Sequence, residues 1–101
     1  MKKFWMKAQE IDQDVRDEFI VAVCDEELLG KKINDFIKIS EHFYKGELVE
    51  AHEVAKMLRK ATTANIFGNK AVKAAVECGL VDEEDVKEIA GVKYVLIFTM
   101  G

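Results

Sequence analysis

Apolar residues alternate with polar ones near the start of the chain, as they do in a strand with one buried face. Residues 3–9 follow this two-residue period, which predicts a first strand. Residues 10–18 are polar and are interpreted as a connecting loop. Residues 19–24 then form an unbroken apolar run rich in β-branched types, which predicts a central strand covered on both faces.

Two later segments have the helical period instead. Apolar residues in the segment 51–61, including Val54, Ala55 and Leu58, fall on one side of a helical wheel. A second helix is predicted over residues 69–78, followed by Gly79 as its terminator. The sequence TTANIFGN at residues 62–69 is interpreted as the connection between the two helices.

The remaining elements are predicted to be short. After the central strand, Asp25 is expected to cap a single helical turn that Gly30 ends. The alternation of Ile37 and Ile39 predicts a strand over residues 36–40, and a turn follows at residues 41–47.

The last part of the chain predicts a capped turn and a hairpin. The capped turn is expected at residues 82–85, and the sequences VKEI and VKYVLIF form the hairpin on either side of an Ala-Gly pair. The whole pattern predicts an α+β fold: a single domain over residues 1–101, with a mixed sheet of four to five strands and two main helices packed on one face.

Length and composition narrow the class of protein. A chain of 101 residues suits one domain. Its longest apolar run is far shorter than a membrane span, and its first residues lack the apolar core of a signal peptide, so we expect a cytoplasmic protein with no membrane partner. Cys24 and Cys78 have no metal-binding spacing and are interpreted as reduced, packed residues, and no cofactor is expected.

Charge is unevenly distributed along the chain. The formal net charge is −4, yet residues 54–76 contain no acidic residue and carry +5, so that the rest of the chain carries −9. The basic segment includes both ends of the TTANIFGN connection. This pattern predicts a local site for an anion in an otherwise acidic protein.

A mechanism for anion binding follows from these residues. Basic side chains at the end of the first helix approach the ligand, Gly68 allows a close turn, and amides at the start of the second helix contribute the positive end of its dipole. The candidate residues for binding an anion or RNA are Lys56, Arg59, Lys60, Asn65, Gly68, Asn69, Lys70 and Lys73. The alternative is structural: basic residues also offset the negative end of a helix, and Asn65 and Gly68 also serve local turns.

No catalytic or metal-binding residue is predicted. Cys24 beside Asp25, with His42 or His52 as a base, is the one arrangement that resembles a cysteine nucleophile, and a packed structural role for Cys24 competes with it. The two histidines match no known metal-binding spacing. Phosphate-binding and hydrolase motifs are absent from the sequence.

Three blocks of sequence resemble one family. AVCDEELLGKK, FYKGELV and ATTANIFGNKAV are similar, in order and spacing, to the archaeal domain-of-unknown-function family 424. The resemblance covers nearly the whole chain and implies an archaeal cytosolic protein. It implies no activity, substrate or catalytic residue, because the family has none established.

Two hypotheses of function and a third, less favoured one follow. The leading one is a non-enzymatic binding module for a phosphate-bearing ligand, RNA or a ribonucleoprotein, bound around Asn65 and Gly68. The alternative is an interaction or scaffold protein that associates with itself or with a partner through a sheet edge or an apolar surface. A small enzyme based on Cys24 is the least favoured.

Overall fold

In the computed structural model, which describes residues 3–12 and 17–98, six strands form one mixed sheet. The strands are β1 (Phe4–Asp12), β2 (Asp17–Asp25), β3 (Glu47–Val49), β4 (Thr63–Phe67), β5 (Lys87–Ile89) and β6 (Val92–Phe98). Their order across the sheet is β3-β1-β2-β4-β6-β5. Among the strands of the described residues, β2 and β4 are the one parallel pair, and the other pairs are antiparallel. The sheet is therefore mixed, as predicted, but larger than the expected four to five strands.

The described part of the chain also contains three helices. They are α1 (Glu41–Tyr44), α2 (Ala51–Leu58) and α3 (Asn69–Glu77), with single 3-10 turns at Glu26–Leu28 and Glu83–Asp85. The two predicted helices are confirmed as α2 and α3, which pack against each other and against the sheet. A capping box starts α2, in which Glu50 and Glu53 bond each other's backbone amides.

The main core lies between these two helices and one face of the sheet. Alternate residues of the central strands point into it, and Val21, Val23 and Ile66 are fully buried there. Val54 and Leu58 from α2, with three buried residues of α3, cover them. The apolar stripes predicted for both helices are thus the faces that contact the sheet.

A second, smaller core covers part of the opposite face. Cys24 and Phe67 are buried in it, and the ring of the partly buried Tyr94 stacks on that of Phe67 with centroids 5.0 Å apart. The chain between β2 and β3, including Tyr44 of α1, lies over them. Apolar residues farther along this face are left uncovered, and Leu96 and Phe98 are 47% and 71% exposed.

The prediction that TTANIFGN is a loop is wrong, because most of this sequence forms the interior strand β4. β4 pairs with β2 on one side and β6 on the other, so both of its backbone edges are used. Five residues interrupted by Asn65 give a weak strand pattern. Pairing with two neighbours stabilises a strand that the local sequence does not indicate.

Residues 36–40 also differ from the prediction, since they form no strand. A single bridge joins Lys32 and Lys38. The Asn34 side chain accepts hydrogen bonds from the amides of Phe36 and Ile37, both at 2.8 Å, and so forms a turn of its own.

The connection between β1 and β2 is shorter than predicted. β1 extends to Asp12 and β2 begins at Asp17, so the predicted loop at residues 10–18 is much shorter, and its residues 13–16 lie outside the described part. The closing hairpin is confirmed, with Ala90 and Gly91 at positive φ between β5 and β6.

Within the described ranges, no helix has the length and apolar character needed to cross a membrane.

Candidate functional site

The start of α3 is capped by a carboxylate from β2, a strand far from it in sequence. Asp25, the last residue of β2, is only 4% exposed. Its Oδ1 accepts a hydrogen bond of 2.7 Å from the amide of Ala71, and its Oδ2 accepts one of 3.1 Å from the amide of Lys70. The predicted capping role of Asp25 is therefore real, but the helix that it caps lies 45 residues farther along the chain rather than directly after it.

This contact changes the expected anion site. Amides at a helix start attract anions because the first N–H groups lack partners within the helix. In this chain the amides of Lys70 and Ala71 already donate to Asp25. A ligand at this end of α3 would thus be bound by side chains rather than by these two amides.

Gly68 joins β4 to α3 at a point where a side chain would not fit. Its φ is +119°, and an added Cβ would overlap the carboxyl group of Asp25. Its amide donates to the carbonyl of Lys93, at 2.8 Å. The close turn predicted at Gly68 is confirmed, and it brings the buried carboxylate to the helix.

Asn69 ties the same helix to the neighbouring strand. Its Oδ1 accepts a hydrogen bond of 2.9 Å from the amide of Lys93 in β6. The start of α3 is therefore fixed from two sides, by Asp25 on β2 and by Lys93 on β6.

Burial and local bonds perturb the acids at this junction. Burial raises the pKa of Asp25, and the hydrogen bonds from Lys70 and Ala71 partly oppose this shift. The pKa of Glu27 is lowered, first by a hydrogen bond from its own backbone amide and also by Lys70, whose Nζ lies 3.1 Å from its Oε1.

The basic residues of the predicted site do not converge. The chain that follows α2 returns to the start of β2, where the amide of Thr62 donates to the carbonyl of Phe19. Lys70 lies instead beside Asp25 at the other end of the same strand. Asp25 lies six residue steps along the strand from Phe19, a distance of about 20 Å. Arg59 and Lys60 are therefore at the opposite end of the sheet from Lys70.

The other candidates are also dispersed. Lys56 is exposed in the second half of α2. Asn65 is half-buried on the sheet face that α2 and α3 do not cover, opposite Ala22 in β2 and Leu96 in β6. Of the eight candidate residues, the structure gathers four at the start of α3, namely Gly68, Asn69, Lys70 and Lys73.

Two grooves flank α3 and bring further lysines to this group. A groove of about 520 Å³ between α3 and the start of α2 is lined by Lys3, Lys70 and Lys73. A groove of about 750 Å³ between α3 and the β5–β6 hairpin is lined by Lys73, Lys87 and Lys93. Lys73 thus borders both grooves.

Sequence reasoning missed three of these five lysines. Lys3, Lys87 and Lys93 lie outside residues 54–76, and Lys87 sits among acidic residues. Only strand pairing brings Lys93 beside Asn69. The alternation in β6, which places Lys93 on the helix side with Val95, is the one sequence signal that could have placed it.

The two cysteines have opposite environments. Cys24 is fully buried, as expected, and burial, with smaller effects of the charges on Asp25 and Glu27, raises the pKa of its thiol to about 12. Cys78 is exposed, which corrects the prediction that it is packed. In the part of the chain that the structure describes, no three His, Cys, Asp or Glu side chains group as a metal site would require.

Comparisons with known proteins give one matching family and one similar solved structure. The model of a family described as "Protein of unknown function (DUF424)" matches residues 13–100. A crystal structure of an uncharacterised conserved protein from Methanopyrus kandleri is similar, with a TM-score of 0.78 and 27% identity, over 98% of this chain and 95% of that one. No curated protein matches. With a family match over nearly its whole length and a solved structure of the same fold, the chain belongs to the DUF424 family.

Proposed function

We propose that this chain is a non-enzymatic binding module for a phosphate-bearing ligand, RNA or a ribonucleoprotein, and that it binds the ligand along the first half of α3. The observation that carries the proposal is the placement of Lys73 between two grooves, with Lys3 and Lys70 on one side and Lys87 and Lys93 on the other. Lysine side chains can reach phosphates several ångströms apart, as a nucleic-acid backbone presents them.

The mode of binding differs from the one expected from sequence. Since Asp25 occupies the amides of Lys70 and Ala71, the ligand would be bound by ammonium groups with little help from the helix start. Lys70 already contacts Glu27, but both side chains are about half exposed, and such a pair is weak in water. A phosphate can therefore replace Glu27 as the partner of Lys70 at small cost.

The acidic residues nearby limit the strength of binding. The linings of the two grooves contain five lysines and four glutamates, the latter being Glu50, Glu77, Glu83 and Glu88. This near balance, in a chain of net charge −4, favours weak and salt-sensitive association over tight nonspecific binding.

Fluorescence anisotropy with labelled single-stranded RNA and with a folded tRNA tests the proposal. Binding should weaken as salt rises, and Lys73→Glu should weaken it about tenfold and reduce the slope of log affinity against log salt by about 0.7 for the single strand. Lys56→Glu is the matched control, because it makes the same charge change on α2 and should have an effect of about twofold at most. Absence of binding at low salt, or equal losses in the two variants, would rule the proposal out.

A second candidate function is a protein-interaction module. It is favoured by four large apolar side chains that the fold leaves on the surface: Ile11, Phe36, Leu96 and Phe98. Phe36 is 94% exposed at the tip of a turn, and Leu96 and Phe98 share one face of β6. Neighbouring apolar side chains that stay exposed, as Leu96 and Phe98 do, commonly mark contact with another protein, whereas single ones do not.

A cysteine-dependent activity has the least support. A nucleophilic thiol needs access to its substrate and a substantial thiolate fraction near neutral pH. Cys24, on which this hypothesis rests, is buried and has a raised pKa. The binding functions therefore have the stronger basis.

A further inference from the structure

We propose that the outer edge of β6 accepts an extended, Lys- or Arg-rich segment of a partner protein as an added strand. The proposal rests on the second candidate function, protein interaction, and gives it a site and a class of partner. It is independent of the lysines around α3.

The first support is an open stretch of backbone. β4 pairs with β6 from Tyr94 to Phe98, whereas on the other side β5 pairs with β6 only from Val92 to Tyr94. Beyond Tyr94 the outer edge of β6 has no strand beside it among the described residues. An unpaired edge of this kind is a template for another strand.

The direction of the backbone groups identifies which residues are available. The carbonyl of Lys93 accepts from Gly68, and so Lys93 faces the β4 side. Because successive residues of a strand alternate, Val95 and Ile97 also face β4, while Leu96 and Phe98 direct their N–H and C=O groups outward. The structure as described gives these outward groups no hydrogen-bond partner.

The second support is a groove beside this edge. The chain from the end of α3 to β5 runs past residues 95–98 and leaves a space of about 520 Å³. Leu96 and Phe98 border the space from the strand, and Leu80 and Val81 border it from the other wall. The groove offers both backbone groups and apolar contacts, which are the two requirements of strand addition.

The acidic residues that line this groove favour a basic partner. Asp82, Glu84 and Asp85 line the same groove and are exposed, with Lys87 as the one basic lining residue. Within the described ranges, none of the three acidic side chains has an ion-pair partner. A basic segment complements this rim, whereas RNA, or the same acidic edge of a second copy, would be repelled by it.

Synthetic peptides test the inference. The probe is a peptide of about seven alternating Lys and Val residues, long enough at about 3.3 Å per residue to span the open edge. The matched probes are its Glu-Val counterpart and a Lys-Val peptide with N-methylated amides on the edge that would face β6. We expect salt-sensitive binding of the first peptide, with Leu96 and Phe98 amides gaining protection from hydrogen exchange, and about tenfold weaker binding of the other two.

Two protein variants test the same contacts from the other side. Leu96→Pro removes an outward N–H without removing a bond to β4, and Leu96→Ala is its control because it keeps the N–H. The double variant Glu84→Lys with Asp85→Lys tests the charge, so that the inference stays testable if the proline variant fails to fold. Leu96→Pro and the double variant should each weaken binding of the Lys-Val peptide about tenfold.

Two results would overturn the inference. One is equal binding of the N-methylated peptide, and the other is absence of Lys-Val binding at low salt. If the second result came with self-association that Phe98→Ser abolishes, the chain would still be a protein-interaction module, but through its apolar face rather than by strand addition. RNA binding should be unchanged in Leu96→Pro, which separates this test from that of the lysine surface.

Discussion

The carboxyl group of Asp25 lies directly against the backbone of Gly68, in the space that a side chain at position 68 would fill. Asp25 ends β2 and Gly68 begins the turn from the parallel strand β4 into α3. The absence of a Cβ allows the carboxylate to reach the amides of Lys70 and Ala71. This contact fixes where α3 starts, and hence where Lys70 and Lys73 lie.

The first prediction concerns Gly68→Ala. The substitution places a methyl group against Asp25 at a φ of +119°, and we expect a loss of about 2–4 kcal/mol in the free energy of unfolding. In an Asp25→Ala background the overlap disappears and only the backbone strain remains, so the same substitution should cost about 1–2 kcal/mol. Urea denaturation of the four proteins in this cycle measures the coupling. Equal costs in the two backgrounds would show that Asp25 and Gly68 do not interact.

The second prediction concerns Asp25→Ala by itself. The substitution leaves the amides of Lys70 and Ala71 without their acceptor, and we expect the free energy of unfolding to fall by about 1–3 kcal/mol. Asp82→Ala is the control, since Asp82 precedes a 3-10 turn but makes no capping bond with its side chain. The free energy of unfolding of that variant should lie within about 0.5 kcal/mol of the wild-type value. Similar losses in both variants would argue against a capping role for Asp25.

The third prediction concerns pH. Burial raises the pKa of Asp25 above its ordinary value of 3.8, so the folded protein holds this proton more tightly than the unfolded chain does. The stability that this group contributes is therefore complete below its unfolded pKa and is lost as pH rises through its folded pKa.

Asp25→Asn cannot titrate and serves as the reference for this effect. The stability of the wild type minus that of Asp25→Asn should be largest in acid and should fall as the pH rises above 3.8. Urea midpoints of both proteins at a series of pH values measure this difference. If the difference grew with pH, the helix amides would outweigh burial and the pKa of Asp25 would be lowered.

The fourth prediction concerns the thiols. Cys24 is buried with a pKa raised to about 12, while Cys78 is exposed. A thiol reagent at mildly alkaline pH should therefore modify one cysteine per native chain quickly, and Cys78→Ser should abolish this fast reaction. Both cysteines should react after denaturation. Fast modification of native Cys78→Ser would show that Cys24 is accessible and would restore the enzymatic hypothesis.

Elements with a strong local signal were predictable. β2 and the pair α2 and α3 have continuous or periodic apolar patterns that match their burial in the structure. β4 was missed because its pairing with β2 and β6, rather than its own five residues, makes it a strand. Residues 36–40 show the reverse case, in which alternating isoleucines suggest a strand but Asn34 satisfies the local amides.

The candidate site was predictable only in part. Gly68, Asn69, Lys70 and Lys73 follow one another along the chain, and so their proximity at the start of α3 follows from local sequence. The separation of Lys60 from Lys70 does not, because it depends on β4 running the length of the sheet between them. The approach of Asp25 and Lys93 depends on tertiary contacts over 45 and 24 residues, which a charge count cannot indicate.

The most direct test of the proposed function compares two variants of equal net charge. One reverses Lys70 and Lys73 on α3, and the other reverses Lys56 and Lys60 at the far end of α2, each to Glu. The quantity to measure is the affinity of both proteins for the same single-stranded RNA at low salt, after their folding has been checked. If the α3 surface binds the ligand, the first variant should lose at least about tenfold more affinity than the second. Equal losses would mean that only net charge matters, and a larger loss in the α2 variant would place the binding surface at the opposite end of the sheet.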